Sequence, residues 1–366
     1  MSSPEGVRHL YVHVPFCAHR CGYCDFVTLV GRDGEHAGYV DAVLAELELE
    51  LALLAPALET VFVGGGTPTF TEAAALRRLL EALPAAAELT VEANPETVTP
   101  ALARLLGEAG VTRVSLGVQS FQHHLLAVLE RRAEPDVIRR SLYHLRGAGF
   151  DNISLDLIYG IPGQRPSDLD RDLEEALALG PEHLSCYELE AKAGTRFTHA
   201  HGEELARQSE AMEGYFERVV ETLVEAGYRW YETANFCREG RQARHNLAYW
   251  LGRDYLGLGV GAVSTIGERR WRNLPGLPAY VSALCAGRRP AREHEALGAD
   301  VKLRERLMLG LRLDEPVPLG AVAGALDPEG LRKLERLGLA ERQGDGLVLT
   351  RRGRFLGGAA TVELLA

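Results

Sequence analysis

His13-Val14-Pro15-Phe16-Cys17-Ala18-His19-Arg20-Cys21-Gly22-Tyr23-Cys24 sets three cysteines at C-x3-C-x2-C directly after the strand-like run Leu10–Val14. A strand that runs into a ligand-bearing loop is how many α/β proteins build a site, because the carboxyl ends of parallel strands share one edge. Outward from that loop the same unit recurs. Strand-like runs, most of them rich in Val, Ile or Leu, lie at Thr60–Val63, Leu89–Glu92, Val111–Val118, Ile153–Ile158 and His183–Leu189. Helical patterns separate them at about Glu35–Leu54, Thr71–Leu83, Pro100–Ala109, Pro135–Ala148 and Ser167–Ala178. Six β–α units in succession imply a parallel sheet, and six fall short of the eight that close a barrel. The fold class expected is α/β, an open, partial (β/α)6 barrel of the TIM type.

Beyond Thr195 the pattern changes. A long helix over about Glu203–Ala226 precedes a strand over Tyr228–Phe236, a polar turn and the segment His245–Trp250. Gly257, Gly259, Gly261 and Gly267 then follow closely. From about Asp300, helical segments at Arg304–Leu311 and Asp327–Leu337 and a Gly344–Gly346 turn between short strands read as a winged-helix-like module. Three parts are expected: a barrel over 1–195, an α/β extension over 196–299 and the C-terminal module over 300–366.

Lys plus Arg total 40 against 51 Asp plus Glu, so the net charge of -11 lacks the basic excess of a nucleic-acid binder. Arg351, Arg352 and Arg354 form a small basic group in the C-terminal module, and the overall acidity argues against a DNA-binding role for it. Ala42–Leu58 is interrupted by Glu46, Glu48 and Glu50, so it does not read as a membrane span, which needs about 20 mainly apolar residues. Met1–Leu10 has no apolar signal core, and a cytoplasmic location is expected. Six cysteines in 366 residues are too few for a disulfide scaffold. In a reducing compartment, a cysteine triplet is a metal-ligand set. Cys186, Cys237 and Cys285 lie far apart and read as core or incidental.

Three thiolates can bind three irons of a [4Fe–4S] cube and leave the fourth iron open to an exogenous ligand. The same thiolates with His13 or His19 would equally suit a structural Zn2+. Gly64–Gly66 let backbone groups approach a ligand with no side chain in the way. Glu92, Gln119 and Asp156 fall near the ends of expected strands, at the edge where α/β proteins bind ligands.

Followed by Gly64-Gly65-Gly66-Thr67-Pro68-Thr69, the cysteine triplet resembles the radical S-adenosylmethionine (SAM) superfamily. From Tyr11 to the C-terminal module the chain is similar to the anaerobic coproporphyrinogen III oxidase family, and within it to the haem-chaperone branch. The resemblance implies a [4Fe–4S] cluster on Cys17, Cys21 and Cys24 whose open iron takes the amino and carboxylate groups of SAM. It also implies that Gly65, Gly66 and Thr67 meet the methionine amino end, that Glu92 accepts from the ammonium and that Arg131 pairs with the carboxylate. Gln119 and Asp156 would bind ribose hydroxyls, with Tyr11 and Tyr23 beside the cofactor. One departure stands out. Leu129-Glu130-Arg131-Arg132-Ala133 occupies a place where relatives often carry Leu-Gly-Arg-x-His, so the arginine is kept while Glu130 and Ala133 replace the glycine and histidine.

Two features separate the oxidase from the carrier. The oxidase branch usually extends its motif to C-x3-C-x2-C-x-C and carries an N-terminal extension; here Phe26 holds the fourth position and the first strand begins by Leu10. The expectation is therefore a radical SAM-type site without coproporphyrinogen oxidase activity. Such a chaperone would bind haem as cargo and pass it to an acceptor protein, as monomer or dimer, with no nucleic-acid partner. The alternative is oxidative decarboxylation of coproporphyrinogen III. His245-Asn246-Leu247-Ala248-Tyr249-Trp250 matches an H-N-x-x-Y-W pattern implicated in haem binding in the chaperone branch. By that resemblance, His245, Asn246, Tyr249 and Trp250 are the haem-binding candidates. An imidazole nitrogen can ligate haem iron, and Arg241 or Arg244 could meet propionates.

Overall fold

The computed structural model describes residues 6–192 and 196–366. The six expected strands are present as β1 (His9–Val14), β2 (Leu58–Gly65), β3 (Ala86–Ala93), β4 (Arg113–Gln119), β5 (Ile153–Tyr159) and β6 (His183–Glu188). Each pairs in parallel with the next. The connecting helices are α1 (His36–Glu50), α2 (Ala73–Ala82), α3 (Pro100–Glu108), a short α4 (His123–Val128) that the periodicity did not reveal, α5 (Pro135–Gly147) and α6 (Pro166–Ala178). Their apolar spacing decides which face is buried: Leu76, Leu79 and Leu80 in α2, Leu102, Leu105 and Leu106 in α3, Ile138, Leu142 and Leu145 in α5. Pro100, Pro135 and Pro166 open three of these helices, at the position where a missing N–H costs no helical bond.

After β6 come the long helix α7 (Arg196–Glu225), the short strands β7 (Arg229–Trp230) and β8 (Asn235–Cys237), helix α8 (Arg244–Trp250) and strand β9 (Leu256–Leu258). β9 pairs in parallel with the outer edge of β1, and β8 pairs antiparallel with β6 and β7. The sheet therefore runs β7-β8-β6-β5-β4-β3-β2-β1-β9, and β1 never meets β6. The barrel is open. The single strand expected over Tyr228–Phe236 is broken, because Tyr231 turns its hydroxyl to His183 Nε2 (2.8 Å) and Glu232 bonds Asn235 and bridges to Leu313. α7 extends further toward the N-terminus than the Glu203 start its periodicity predicts. The boundary expected at Thr195 lies outside the described residues.

Strand alternation sorts the two faces of the sheet. On β4, Val114, Leu116 and Val118 are buried in the hydrophobic core, while Arg113, Ser115 and Gly117 line the barrel interior. Toward the amino ends of the strands the interior is a polar floor. His9 Nδ1 and His245 Nδ1 both hydrogen-bond Thr60 Oγ1 (2.9 and 2.7 Å), and Ser154 Oγ hydrogen-bonds His183 Nδ1 (2.8 Å). α8 plugs this floor. The backbone N–H groups of Arg244 and His245 donate to the Glu88 carboxylate (both 3.1 Å), which neutralises the positive end of the helix.

The extension adds an antiparallel sheet of β10 (Val263–Ile266), β11 (Arg269–Asn273) and β12 (Arg292–Ala296), with α9 (Leu277–Cys285) packed on α1. Glu46, one of the acids that interrupt the apolar α1 segment, is fully buried and fastens this extension. Its carboxylate accepts from Gly259 N–H (2.9 Å), Asn273 Nδ2 (2.8 Å), Tyr280 OH (2.6 Å) and Arg292 Nη2 (3.0 Å).

The C-terminal module has its own core, including Leu307, Leu311, Leu331, Leu334, Leu347 and Leu364. Helices α10 (Ala299–Gly310) and α11 (Pro328–Arg336) pack with strands β13 (Val317–Pro318), β14 (Ala340–Gln343) and β15 (Gly346–Leu349), followed by α12 (Arg351–Phe355) and α13 (Gly357–Leu364). The expected hairpin turn joins β14 to β15, in a winged-helix-like arrangement. Arg229 binds Asp314 in a bidentate pair (2.7 and 2.8 Å), and Phe355 packs on Phe216 and Trp230, so the module sits against the open side of the barrel. Among the described residues, no helix is long and apolar enough to cross a membrane.

Candidate functional site

The loop after β1 carries the three cysteines at the carboxyl edge of the sheet. It is closed at its base by Cys17 N–H to Leu29 O (3.0 Å) and Leu29 N–H to Pro15 O (2.8 Å). All three thiols are free and line one cavity. Cys17 Sγ lies 3.5 Å from Thr67 Oγ1, and Arg131 Nη1 donates to Cys21 Sγ (3.9 Å). Burial pushes the Cys17 and Cys24 thiols above the usual thiol range, which a bound metal would reverse by stabilising the thiolate. His13 offers no nitrogen to a metal. Its Nδ1 bonds Tyr11 OH (3.0 Å), its Nε2 bonds Val27 O (2.8 Å), and burial pushes it down to about 4. His19 Nε2 lies 3.6 Å from the Glu130 carboxylate. Among the described residues no group of three or more His, Cys, Asp or Glu side chains is placed as it would be around a single metal ion. A cube, whose irons each take one thiolate, makes no such demand, and the donor set fits it.

The glycine loop forms the adjoining wall. Gly65 has φ +118, and a Cβ there would lie 2.5 Å from the His13 ring; a Cβ on Gly66 would strike Pro15 O at 2.7 Å. Only glycine fits this close approach. Gly66 N–H donates to Val14 O and Thr67 N–H to Phe16 O (both 2.8 Å), fixing the loop against the cysteine segment. Glu92, on β3, accepts from Gly65 N–H (2.9 Å). Burial pushes its carboxyl up to about 7; the Asp156 charge adds to this, while Gly65 N–H and Arg113 oppose it.

Arg131 Nη2 donates to Asn94 Oδ1 (2.9 Å) and Gly117 O (2.7 Å), and its buried Nε has no acceptor among the described residues. The preceding Glu130 has φ +54, in the left-handed region glycine favours. Gln119 also has positive φ (+69), at a bulge where β4 meets β5. Asp156 accepts from Ser115 Oγ (2.9 and 3.1 Å) and Ser154 Oγ (3.1 Å), and burial raises its pKa. These residues hold a carboxylate, an amide, a guanidinium and exposed backbone around one space, a set that fits the ammonium, carboxylate and ribose of SAM.

That space is a cavity of about 1050 Å3. Cys17, Cys21, Cys24, Tyr23, Gly65, Gly66, Thr67, Glu92, Gln119, Arg131 and Asp156 all line it. Tyr11 does not. It lines a separate cavity of about 210 Å3 with His13 and Tyr249. The H-N-x-x-Y-W residues are likewise divided. Asn246 faces the large cavity and Tyr249 the small one, while Trp250 carries the Arg312 guanidinium 4.4 Å above its ring. His245 is 1% exposed, its Nδ1 bonded to Thr60 and its Nε2 to Tyr249 OH (2.9 Å). Arg241 pairs with Asp151 at the surface (3.1 Å). Cys186 also lines the large cavity, and Phe26 stands 62% exposed at both cavities.

Arg113 escaped the sequence reading. It is 2% exposed, lines the large cavity between Glu92 and Asp156 in charge, and its Nε has no acceptor among the described residues. The signal was present: along Arg113-Val114-Ser115-Leu116-Gly117, a period of two puts the arginine on the same face as Ser115 and Gly117.

Residues 11–176 match the family model of the radical SAM superfamily, and residues 297–356 match that of the HemN C-terminal domain. The chain is 39% identical over 376 aligned positions to heme chaperone HemW of Mycobacterium tuberculosis, covering 99% of this chain and 95% of the relative. The chain belongs to the HemW family. The Bacillus subtilis HemW is 32% identical over 96% of this chain and 97% of its own length. Among solved structures, coproporphyrinogen III oxidase (HemN) from Escherichia coli superposes with a TM-score of 0.79 at 24% identity, covering 99% of this chain and 91% of that one. This likeness shows the shared fold, a radical SAM partial barrel with the same C-terminal addition. Membership of the radical SAM superfamily carries with it a [4Fe–4S] cluster and SAM, and in this HemW relative the cysteine loop and glycine wall fit both.

Proposed function

We propose that the protein is a cytoplasmic haem carrier, which binds haem and hands it to an acceptor protein. The observation that supports this most directly is its end-to-end similarity to relatives named heme chaperone HemW. Cys17, Cys21 and Cys24 hold the [4Fe–4S] cluster. When bound, the cluster supplies an iron position for the amino and carboxylate groups of SAM. Glu92 receives the ammonium, Gly65, Gly66 and Thr67 shape the wall beside it, Arg131 takes the carboxylate, and Gln119 and Asp156 take the ribose. Tyr23 covers the cofactor from the cysteine loop. Of the H-N-x-x-Y-W residues, Asn246 is the one whose side of the helix borders the large cavity. The division into a barrel, an extension carrying that motif and a C-terminal module matches this work: the barrel holds cluster and SAM, and the module closes the cavity.

The test is a haem titration of anaerobically reconstituted protein, followed by transfer to an apo acceptor such as a haem-free cytochrome. Stoichiometric binding and transfer are expected, with no turnover of coproporphyrinogen III in the presence of SAM and reductant. Turnover, or failure to bind haem, would sink the carrier reading. Cys17→Ala, Cys21→Ala and Cys24→Ala should each remove the iron–sulfur absorption; protein that keeps bound zinc and takes up no iron would overturn the cluster assignment.

A further inference from the structure

The large cavity has two unlike ends. One is the polar pocket of cysteines, glycines and carboxylates already described. The other is closed by the C-terminal module, where Met308, Leu311, Leu349 and Phe355 supply apolar surface and Arg312 and Arg354 supply two guanidinium groups. A volume of about 1050 Å3 stands at the top of the roughly 300–1,000 Å3 range of small-molecule sites. The chemistry of its lining changes from the barrel end to the module end.

The two guanidinium groups are held in place without being neutralised. Arg354 lies 3.5 Å over the Trp230 ring and donates Nη1 to Trp230 O (2.8 Å), while its buried Nη2 has no acceptor among the described residues. Arg312 is spread over the Trp250 ring. Among the described residues, neither forms an ion pair within 4 Å. Both feel the charge of Glu232, which is fully buried, bonds Asn235 through Oε1 and leaves Oε2 without a partner. Arg354 also feels Asp314, but that carboxylate is held by Arg229 in the bidentate pair, so neither acid is bonded to either cation. Two guanidinium groups set on tryptophan rings beside apolar side chains, one exposed and one partly buried, suit a ligand with an apolar body and carboxylates on one edge.

We propose that this end of the cavity is the haem subsite, with the macrocycle against the C-terminal module and its two propionates on Arg312 and Arg354. The proposal rests on the haem-carrier reading above. It leaves His245 where the structure puts it, bonded through both nitrogens in the barrel floor. The haem edge then faces SAM across one continuous space.

The experiment compares haem with haem dimethyl ester, whose propionates carry no charge, by absorbance titration of the full reconstituted chain. Arg312→Gln and Arg354→Gln should each weaken haem binding about tenfold, the loss of one charged hydrogen-bonding partner, and leave ester binding within about twofold of wild type. Arg354→Lys, which keeps a cation over Trp230, should recover part of the loss. The iron–sulfur absorption of each variant reports that the chain is folded. Variants that bind haem as wild type does, or that lose haem and ester equally, overturn the subsite and leave the carrier reading standing. A wild type that binds neither ligand overturns both.

Discussion

Substituting Glu92 by Gln separates charge from shape at the SAM site. Glu92 faces the cavity with one oxygen on Gly65 N–H, and burial lifts its carboxyl to about 7. Only the ionised form attracts an ammonium strongly. Wild-type SAM affinity should therefore drop about fourfold to eightfold between pH 7.5 and pH 6 and level off at the affinity of the neutral form below that, as a single group titrating near 7 requires. Glu92→Gln keeps an acceptor for Gly65 N–H but no charge. It should bind SAM about tenfold to a hundredfold more weakly at pH 7.5, the worth of a charged hydrogen bond, with little pH dependence from 6 to 8. Stability should move the other way. Because the folded value lies above the unfolded one, the native state holds the proton more tightly between pH 4.5 and about 7. The site's contribution is thus full below pH 4.5 and lost as pH rises through 7, by up to about 3 kcal/mol. Without SAM, Glu92→Gln should match wild type near pH 5 and exceed it at pH 8. Calorimetric SAM titrations at three pH values and urea unfolding in parallel make the measurement. A wild-type affinity flat from pH 6 to 8, or a variant that keeps the wild-type slope, would refute the reasoning.

Other substitutions test the frame around the site. Gly65→Ala drives a Cβ into the His13 ring and forces a residue with φ +118, so SAM binding should fall at least about tenfold and the apo protein lose roughly 1–3 kcal/mol in urea unfolding. Glu46→Ala strips the extension of its clasp and leaves Arg292 without its deepest partner; about 3–5 kcal/mol should be lost, and a change under 1 kcal/mol would show the clasp to be dispensable. His245→Ala empties the ring's place between Thr60 and Tyr249 and should cost about 2–4 kcal/mol at pH 7. Burial pushes His245 down to about 3, so its contribution is full above pH 6.5 and lost as pH falls toward 3. The gap between wild type and His245→Ala should narrow on acidification, and a gap that widens would contradict a neutral, buried ring.

Much of the barrel was legible because its signals are local. Runs such as Ile153–Ile158 bounded by helical stretches announce parallel strands, and proline at 100 and 135 marks helix starts. Where the local signal weakens, so did the reading. α4 is only six residues long, too short to show a period, and the Tyr228–Phe236 run looks like one strand although Tyr231 and Glu232 leave it for partners at His183 and Leu313. Arg113 hid in a strand whose neighbours are apolar, and its charge makes sense only once Glu92 and Asp156 stand on adjacent strands of the same face. The H-N-x-x-Y-W segment looks like one feature in sequence. Helical geometry divides it: His245 and Tyr249, four places apart, share a face and bond each other, while Asn246, one place on from His245, turns to the large cavity.

Composition, the cysteine spacing and the order of strands and helices determined by themselves an open parallel barrel with a thiol loop and a glycine turn at one edge. Those properties follow from covalent neighbours and from the periods of helix and strand. Tertiary structure alone decided which polar groups share a cavity, that α8 closes the barrel floor, and that Arg312 and Arg354 come to stand opposite the cysteine loop. The reason is distance along the chain: Cys17 and Arg354 are separated by most of its length, and only the packing of the C-terminal module against the open side of the barrel places them on one wall-to-wall space.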